Sequence, residues 1–563
     1  METNLSRSGP SAGAVMRRLF GGLFLLLAST LPACSQAASP ADIAAGKQVF
    51  AANCSLCHDA SPAKAAFQGP ALFGVVGRKV GSVEGFDYTE ALKTAHARGE
   101  TWSDTNLDAY LADPQKAMPG TAMPVSVEDA TERRTLIAYL SSLTGDGPAT
   151  AAKAAAKGTD TRDWRQDAPG VVHRVTVADL PKPFASESAG NGPKYVAPAD
   201  DFLPKVPAGF TVSVFQTGLE RPRNMRTAPN GDLYVTEAGA GRLSVYRNKN
   251  GVLSRVRETV AEGLDDPFGI AFHDNYVYIG TPGAVVRVAM TGGKVETVVP
   301  KLSTTGGHSS RDIAFSPDGQ YMYVSVGSAS NVAEGMGKPP EGFVASHALG
   351  ESWGSELGRA LVLRFKPDGS DRQVYATGIR NCVGLAVRPG TNEVYCTTNE
   401  RDTLGDELVP DYFTQVDQGQ FFGWPWYYLG DNEDPRQAGM RPDLKGKIAL
   451  PDVLFGSHSA PLGLTFYQAP ADATAPFPSS YDGVAFVALH GSWNRAQRTG
   501  SKVVLVRFQN GQPTGDYEDF LTGFIIDDKK VSGRPVAVAV GPEGALYISD
   551  DAGNRIWRVT AKP

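Results

Sequence analysis

Asn230-Gly231-Asp232-Leu233-Tyr234-Val235 joins a tight turn to a run of β-forming residues, and the chain repeats this combination. Five further copies, each with Gly, Asn or Asp near the start of a β-rich run, begin at residues 274, 318, 391, 482 and 543. Turn residues directly before β-branched and aromatic residues predict a short strand that follows a turn. We therefore expect an all-β region that is built from one repeated unit.

The spacing of the six copies predicts their architecture. Their aromatic residues stand at positions 234, 278, 323, 395, 486 and 547, so consecutive copies lie 44, 45, 72, 91 and 61 residues apart. A four-stranded propeller blade needs about 40 residues or more, which predicts a six-bladed β-propeller over residues 201–563. A β-sandwich or another barrel is the alternative. The longest steps imply insertions, which we expect on the functional face.

The composition narrows the range of functions. The 563 residues include 54 Lys and Arg against 60 Asp and Glu, and the net charge of −6 leaves no basic surplus for phosphates. Nucleic acid is therefore not an expected partner. Hydrophobic residues at 42% and charged residues at 20% exclude a mainly disordered chain and a multi-span membrane protein. Five Cys are too few for a disulfide scaffold.

Residues 1–38 resemble an export signal. Arg17 and Arg18 precede a thirteen-residue apolar run, residues 19–31, which is too short to span a bilayer and is typical of a secretory signal peptide. Cys34 follows Leu31-Pro32-Ala33, which resembles a lipoprotein cleavage site. A lipid anchor at Cys34 and ordinary cleavage a few residues later both stay open. We expect the mature protein in the periplasm, where disulfides can persist.

Cys54-Ser55-Leu56-Cys57-His58 is a C-x-x-C-H motif. The thiols of Cys54 and Cys57 can add to the two vinyl groups of a haem, and His58 is then placed to ligate the iron. A bare C-x-x-C also occurs in redox and zinc sites. The adjacent His and the export signal favour haem c, and a low-spin haem c needs a sixth ligand.

Pro119-Gly120-Thr121-Ala122-Met123 resembles the segment that supplies this ligand in class I cytochromes c. The thioether of Met123 is the expected sixth ligand, and Met118 offers a competing sulfur. If Met118 is not a ligand, it is a packed side chain.

Helix signals flank these motifs. Residues 39–42 form a capping box with Pro at the first helical position, and residues 126–129 form a second one before apolar residues at helical spacing. The resemblance to class I cytochromes c covers about residues 40–145 and implies a small all-α domain over residues 39–146. Such a domain carries single electrons, so it needs a donor and an acceptor. Residues 147–200 show no long periodic pattern, which predicts a linker that wraps the next domain.

Polar phrases stand between the repeats, where the incoming strands would bring their side chains toward a common axis. They are Gly306-Gly307-His308-Ser309-Ser310-Arg311, Gly378-Ile379-Arg380-Asn381, residues 399–407, Phe422-Gly423-Trp424-Pro425, His490-Gly491-Ser492-Trp493-Asn494-Arg495 and Gly533-Arg534-Pro535. Together and in this order they resemble the soluble quinoprotein sugar dehydrogenases, and within them the sorbosone and pyranose dehydrogenases. The resemblance covers about residues 180–563. It implies a six-bladed propeller that oxidises an aldose or a sorbosone-like sugar at C1 with pyrroloquinoline quinone (PQQ) and Ca²⁺.

PQQ is a planar ortho-quinone with three carboxylates, so its site needs cations, a flat surface and a Lewis acid. The resemblance implies that Arg380 and Asn381 bind the quinone and that Arg534 binds a carboxylate. Arg223 stands at the equivalent position before the first repeat. In the pyranose branch the His-Gly-Ser-Trp motif helps to hold the cofactor, which implies roles for His490, Trp493, Asn494 and Arg495. For any single Arg, a solvated surface side chain is the alternative.

His308 matches the general base of the family, which takes the proton of the C1 hydroxyl while hydride passes to the quinone. The glucose dehydrogenases pair this His with an Asp, and Ser328 stands at that position here. This departure leaves open how the imidazole is oriented. His458 is a further His, which either faces the pocket or belongs to a structural loop.

The resemblance also implies calcium sites. Two consecutive backbone carbonyls hold the active-site Ca²⁺ of the family, and they map to Asp402 and Thr403. The pair Asp406-Glu407 resembles a second, structural calcium site, or else it is an exposed acidic loop. Cys382 and Cys396 are expected on adjoining strands of the fourth blade, either as a disulfide or as two buried thiols.

The two predicted domains have complementary functions. A reduced quinone holds two electrons, which a fused haem c can accept one at a time and pass to a downstream periplasmic or membrane acceptor. The sequence thus predicts a PQQ-dependent sugar dehydrogenase with its own cytochrome c. Two other classes stay open, a Ca²⁺-dependent propeller hydrolase such as a lactonase and a propeller that only docks another redox protein. The hydrolase would need carboxylate and Asn metal ligands on the axis, and the docking propeller would bind no quinone.

Overall fold

The structure, a computed structural model, describes residues 39–54, 58, 60, 69–83, 86, 88–123, 125–143, 163–304 and 306–562. The expected signal peptide with Cys34, the second haem-motif thiol at Cys57 and residues 147–162 of the expected linker lie outside these ranges. Within them the chain forms two compact units, which divide near residue 150. No helix in the described ranges combines the length and the apolar character that crossing a membrane requires.

Five helices form in the described part of the first unit: α1 (Pro40–Asn53), α2 (Glu90–Ala97), α3 (Asp104–Ala112), α4 (Pro114–Ala117) and α5 (Ala130–Ser142). α1 begins where the sequence predicts, since the Ser39 hydroxyl accepts the backbone N–H of Asp42 at 3.1 Å. α5 begins with Asp129 as its N-cap, and not with Ser126 as predicted. One carboxylate oxygen of Asp129 accepts two N–H groups of the first turn, at 2.8 and 2.9 Å.

α1 and α5 pack closely against each other. Gly46 allows this approach, because a Cβ atom there would lie 1.9 Å from the Thr135 carbonyl oxygen. The rings of Phe50 and Tyr139 meet across the two helices with centroids 5.5 Å apart. Cys54 belongs to the same hydrophobic cluster as Phe50, so the haem motif begins inside the core of this unit.

Six antiparallel sheets of four strands each, numbered I to VI, make up most of the second unit. Sheet I contains Pro222–Thr227, Leu233–Glu237, Arg242–Lys249 and Val252–Ala261; sheet II contains Ile270–His273, Tyr276–Thr281, Ala284–Ala289 and Glu296–Val299; sheet III contains Ile313–Phe315, Met322–Val326, Leu361–Phe365 and Gln373–Thr377. Sheet IV contains Cys382–Val387, Val394–Thr398, Pro410–Val416 and Val453–Ser457; sheet V contains Pro461–Phe466, Ala485–Leu489, Lys502–Val506 and Tyr517–Leu521; sheet VI contains Pro535–Val540, Leu546–Asp550, Arg555–Ala561 and Phe210–Thr217. The strand predicted after each repeated turn is the second strand of its sheet in all six cases.

The six sheets follow one another in a cyclic order. The first strands of consecutive sheets contact each other, and the first strand of sheet VI also contacts that of sheet I. Sheet VI takes its outermost strand, Phe210–Thr217, from the start of the unit, which joins the two ends of this part of the chain. Side chains such as Phe210 and Phe520 pack between neighbouring sheets, with ring centroids 5.4 Å apart. This arrangement is compatible with the predicted six-bladed propeller.

The described part of the expected linker packs on the second unit. Val172–His173 joins sheet V as a fifth strand beside Tyr517–Leu521. Lys194–Tyr195 pairs in parallel with Lys530–Val531. Residues 163–200 are therefore bound to the β unit through backbone hydrogen bonds and are not a free connector.

Cys382 and Cys396 form a disulfide between the first two strands of sheet IV, with Cα atoms 5.8 Å apart. This is one of the two states that the sequence left open. The remaining short elements are α6 (Phe343–Ser346), 3₁₀ turns at Trp164–Gln166, Val177–Asp179, Gly354–Glu356, Pro442–Leu444 and Ser479–Tyr481, and strands Tyr427–Tyr428, Asn432–Glu433, Phe508–Gln509, Gln512–Pro513 and Ile525–Asp527.

Candidate cofactor sites

His58 is positioned in the first unit by one backbone group. Its Nδ1 lies 2.8 Å from the Pro70 carbonyl oxygen. A carbonyl only accepts hydrogen bonds, so Nδ1 carries the hydrogen and Nε2 keeps the lone pair that an iron ligand needs. Burial lowers the pKa of His58, which keeps the ring neutral. Gly69 packs against this ring, since a Cβ atom there would lie 2.3 Å from His58 Cε1.

The described residues of the haem site fit a haem c. Cys54 is buried next to α1, and Cys57 lies outside the described residues. Met123 and Met118 are both partly buried and pack against the same hydrophobic cluster. Both sulfurs are therefore near the core, and Met123 as the sixth ligand stays a prediction.

A cavity of about 300 Å³ opens among the segments that connect the sheets of the second unit. Nine of the predicted site residues line it: Arg223, His308, Arg380, Asn381, Asp402, His490, Trp493, Asn494 and Arg534. These residues lie shortly before or at the start of a first strand, or after the end of a second strand. Distant parts of the sequence thus converge on one cavity, as the repeated pattern predicts, and the role of each residue stays a prediction.

Arg380 is buried, and its guanidinium is fully engaged. It donates to the carbonyls of Glu400 and Asn331 at 2.7 and 3.1 Å and to the carboxylate of Asp402 at 3.2 Å. A buried charge is tolerated only with partners of this kind. Arg380 is therefore a fixed positive charge in the cavity wall, and it also orients Asp402.

His490 lies in a charged cluster with Asp551, which the sequence analysis missed. The Nε2 atom of His490 lies 2.9 Å from one Asp551 oxygen, and the other oxygen pairs with Arg223. Burial and the charge of Arg534 lower the pKa of His490 to about 4, so the ring is neutral at pH 7. Burial opposes ionisation of Asp551, but His490 and the guanidiniums hold the pKa of its carboxyl below the ordinary value. Asp551 directly follows the second strand of sheet VI, and that position in the repeat was the available signal.

His308 is oriented by Ser328. Its Nδ1 lies 2.8 Å from the Ser328 carbonyl oxygen and 3.0 Å from the Ser328 hydroxyl. Since the carbonyl only accepts, Nδ1 donates and Nε2 keeps its lone pair. Burial and the charge of Arg380 lower the pKa of His308 to about 3. Arg359, which was not predicted, is buried and donates to the carbonyls of His308 and Ser328 at 2.9 and 2.8 Å.

Asn494 links two segments of the cavity wall. Its amide donates to the Asp402 carboxylate and lies 3.0 Å from Nδ1 of His458. The Nε2 atom of His458 lies 3.1 Å from the Gly405 carbonyl oxygen. Of the two alternatives that the sequence left open, the structure shows the first, because His458 lines the cavity. Both of its ring nitrogens are already bonded to neighbouring residues.

Hydrogen-bond donors already engage one of the two predicted calcium ligands, the backbone carbonyl of Asp402. The Asp402 carbonyl oxygen accepts from the Thr403 hydroxyl at 2.6 Å, from Arg436 at 2.8 Å and from Asn331 at 3.1 Å. Thr403 does not line the cavity. A cation at this carbonyl would face the guanidinium of Arg436, so the residues as arranged do not fit Ca²⁺. Asp402 and Thr403 as metal ligands stay a prediction that this hydrogen bonding does not support.

The acidic pair Asp406-Glu407 binds a neighbouring loop. Asp406 accepts the backbone N–H of Ala496 at 2.9 Å, and Glu407 pairs with Arg495. This pairing is the reason why Arg495, which was expected to hold the cofactor, does not line the cavity. Burial raises the pKa of Asp411, another carboxyl in the cavity wall, to about 8.

Asp167, His173 and Asp519 form the one group in the described ranges whose acidic and imidazole ligand atoms lie close enough to share an ion. The ammonium of Lys502 lies 2.8 Å from Asp167 and 2.7 Å from Asp519. A lysine in this position is the counter-ion of both carboxylates. The group is therefore an ion-pair network that binds residues 163–173 to sheet V.

A helical unit with a C-x-x-C-H motif and a β unit with a cationic cavity define a cytochrome fused to a cofactor-binding β protein. The sequence model of the TrAA12-like family matches residues 204–415 and 443–562, which is more than half of the chain, so the chain belongs to the TrAA12-like family. The cytochrome c model matches residues 43–144, and the first unit is a cytochrome c domain.

Two relatives cover different shares of the chain. An uncharacterized protein of Borreliella burgdorferi is 28% identical over 374 residues, which are 63% of this chain and 90% of that protein. Cytochrome c2 of Blastochloris viridis is 40% identical over 133 residues, which are 23% of this chain and 98% of that protein.

Solved structures share the fold of the second unit. The holo form of the PQQ domain of pyranose dehydrogenase from Coprinopsis cinerea has a TM-score of 0.52 and 21% identity, over 65% of this chain and 98% of that one. The calcium structure of the Trichoderma reesei carbohydrate-active enzyme of family AA12 has a TM-score of 0.51 and 20% identity, over 66% of this chain and 99% of that one.

Proposed function

We propose that this protein is a periplasmic oxidoreductase that oxidises an aldose or a sorbosone-like sugar at C1 with PQQ bound in the cavity. Electrons then pass to the haem c of its own first unit and on to a downstream periplasmic or membrane acceptor. The six sheets would be the blades of a six-bladed propeller. Family membership and the fold shared with the PQQ domain of a pyranose dehydrogenase support this proposal. The signal-like residues 1–38 support the location.

The composition of the cavity wall carries the proposal. Arg223, Arg380 and Arg534 line one cavity together with the acidic residues Glu400, Asp402 and Asp411, and these three Arg side chains are the cations that the carboxylates of a flat quinone would face. Trp493 also lines it and is 54% exposed, which leaves a flat ring available for stacking. The Oδ1 atom of Asn381 is buried and has no hydrogen-bond partner among the described residues, so it can accept from a ligand. These features fit PQQ.

The chain supplies a base and a fixed charge for the reaction. PQQ, when bound, would supply a two-electron acceptor for the sugar. His308 takes the proton of the C1 hydroxyl on Nε2, because Nδ1 is held as a donor to Ser328. Its pKa, lowered to about 3, keeps the ring neutral at physiological pH with the Nε2 lone pair free, and it also makes this imidazole a weak base in the empty cavity. Arg380 keeps a positive charge in the same cavity and stabilises negative charge that develops during the oxidation.

The first unit supplies the path for single electrons. His58 would hold the iron through Nε2, since its Nδ1 hydrogen is bound to Pro70. Because a haem accepts one electron at a time, a haem held there would take the two electrons of a reduced two-electron cofactor singly. No step is assigned to Ca²⁺, because the Asp402 carbonyl is already bonded to Arg436.

Substrate-driven haem reduction tests the proposal. The haem-loaded protein is incubated with PQQ, in parallel with Ca²⁺ and with a chelator, and a panel of aldoses and sorbosone is added. We expect the reduced haem c absorption band to appear only when PQQ and a sugar are both present. No reduction with any sugar, together with no PQQ binding in equilibrium dialysis, would contradict the proposal and favour the hydrolase or the docking propeller. The convergent Arg side chains argue against the hydrolase, which has no use for them.

A further inference from the structure

Residues 184–195, which we call the strap, run across two loops whose residues line the cavity. The strap belongs to residues 147–200, which the sequence analysis predicts to be a linker. The hydroxyls of Ser186 and Ser188 accept backbone N–H groups of the first loop, residues 402–407, at 2.8 and 3.1 Å. The strap is therefore bonded to the loop that begins with Asp402.

Asn191 joins the strap to the second loop, residues 490–498, and it uses every polar atom to do so. Its partners, at 2.6 to 3.0 Å, are the backbone carbonyls of Trp493, Arg495, Ala496 and Asp528 and the side chains of Arg498 and Lys529. The residue is only 5% exposed. A buried carboxamide with this many partners is costly to replace, because each lost bond leaves a buried polar group unsatisfied.

No other side chain of this size reproduces the contacts. The side-chain NH₂ lies within 3.0 Å of three carbonyl oxygens, so one of its two hydrogens is shared between two of them, while the amide oxygen accepts from the ammonium of Lys529. Asp at position 191 would place a second oxygen against those carbonyls, and Ala would leave them without donors. The requirement at this position is therefore for a carboxamide.

The loop that Asn191 holds carries two side chains of the cavity wall. The Trp493 ring lines the cavity but is 54% exposed, so packing alone does not fix its place. Its backbone carbonyl accepts the backbone N–H of Asn191 at 2.6 Å, and the Asn191 side chain holds the same loop at the carbonyls of Arg495 and Ala496, both at 3.0 Å. The next side chain, Asn494, donates to the Asp402 carboxylate. A displacement of this loop would therefore move both the aromatic surface and the partner of Asp402.

We infer that Asn191 is a positioning residue for the cofactor, which acts by setting the place of the Trp493 ring and the Asn494 amide in the cavity wall. Asn191 itself does not line the cavity. The inference rests on the proposed function, because it concerns the same site.

The test compares the PQQ affinity of Asn191→Ala and Asn191→Ser with that of the wild type in equilibrium dialysis. Both variants keep the backbone bonds of residue 191, and we expect a loss of about tenfold for Asn191→Ala and a smaller loss for Asn191→Ser, whose hydroxyl can still donate one side-chain bond. Ser186→Ala is the matched control in the same strap, since it removes a bond to Asp406 and none to the second loop, and we expect a change below about twofold. The melting temperature of each variant shows that it is folded.

A second measurement separates positioning from a purely structural role. In a Trp493→Ala, Asn494→Ala background, Asn191→Ala is expected to cost less than about threefold in PQQ affinity, because both side chains that Asn191 places are already absent. The same tenfold loss in both backgrounds would overturn the inference, as would unchanged affinity of folded Asn191→Ala. If the wild type binds no PQQ, the proposed function fails and this inference fails with it. If the wild type binds PQQ and the variants bind it equally well, only the inference fails.

Discussion

The cytochrome c domain and the β unit hold their sites by different means. In the first, one hydrogen bond from His58 to the Pro70 carbonyl orients the ligand, and the motif begins in a hydrophobic cluster. In the second, Arg380 alone donates to four different residues, and charged side chains line much of the cavity. A covalently attached cofactor can rest in apolar packing, whereas one held without covalent bonds needs buried charges. A substitution in the haem site is therefore expected to change a single contact of His58. A substitution in the cavity of the β unit is expected to break several hydrogen bonds at once.

The largest loss of PQQ affinity is expected when the β unit loses the guanidinium of Arg380. Arg380→Met keeps much of the volume but removes the cation and leaves the Asp402 carboxylate buried without it. We expect PQQ affinity to fall by about 100-fold, since removing a buried charged partner from a binding site costs about 3 kcal/mol of binding free energy. Equilibrium dialysis measures this loss. The haem spectrum is the control in the other unit, and a changed spectrum would contradict the separation of the two sites.

In the first unit, the matching test adds a methyl group beside His58, the expected haem-iron ligand. Gly69→Ala places a Cβ atom 2.3 Å from His58 Cε1, so the ring must move or tilt. We expect a loss of about 2 kcal/mol in the stability of this unit and an altered low-spin haem spectrum. Denaturation followed by haem absorbance measures both. PQQ affinity should stay within about twofold of the wild type, and a larger change would mean that the two sites are coupled.

The buried imidazoles predict how the β unit responds to pH. The pKa of His308 is lowered to about 3, against about 6.5 in the unfolded chain. The unfolded state therefore binds the proton first, so this contribution to stability is complete above about pH 6.5 and is lost as the pH falls toward 3. His308→Gln should flatten the dependence of the unfolding free energy on pH by up to about 1.4 kcal/mol per pH unit between pH 6 and 4.

Denaturation of the PQQ-free protein at several pH values measures that slope. The same substitution at His96, in the cytochrome c domain, should leave the slope of the β unit unchanged. An equal slope in wild type and His308→Gln would contradict this prediction, because it would show that folding does not lower the pKa of His308.

The smallest change in PQQ affinity is expected when divalent cations are removed. The Asp402 carbonyl accepts from Arg436 at 2.8 Å, so a guanidinium already occupies the side on which a metal would bind. We expect chelation to change PQQ affinity by less than about twofold in the wild type. Arg436→Ala removes the only charged donor among the three at this carbonyl and should make the affinity respond to added Ca²⁺. A strong dependence on Ca²⁺ in the wild type would show that the cofactor rearranges this loop when it binds.

Much of both sites could be predicted because the signals are local. The haem motif is contiguous, and the repeated strands place Arg380 and Arg534 shortly before the first strands of their sheets and His490 directly after a second strand. Asp551 was missed although it occupies such a position, because an acidic residue after a strand does not by itself indicate its partner. The start of α5 was misplaced because two capping residues, Ser126 and Asp129, compete within one turn, and the carboxylate that bonds two N–H groups is the N-cap.

By itself the sequence determined the two-part organisation, the haem motif and the strand that follows each of the six turns. Backbone preferences and alternating hydrophobic residues act over a few positions, so they can be read locally. Only the tertiary structure decided that Arg495 pairs with Glu407, that Arg436 covers the Asp402 carbonyl and that Asn191 fastens the Trp493 loop. The partner of a charged or polar side chain depends on which distant segments come within about 3 Å of it, and that distance is set by the packing of whole sheets.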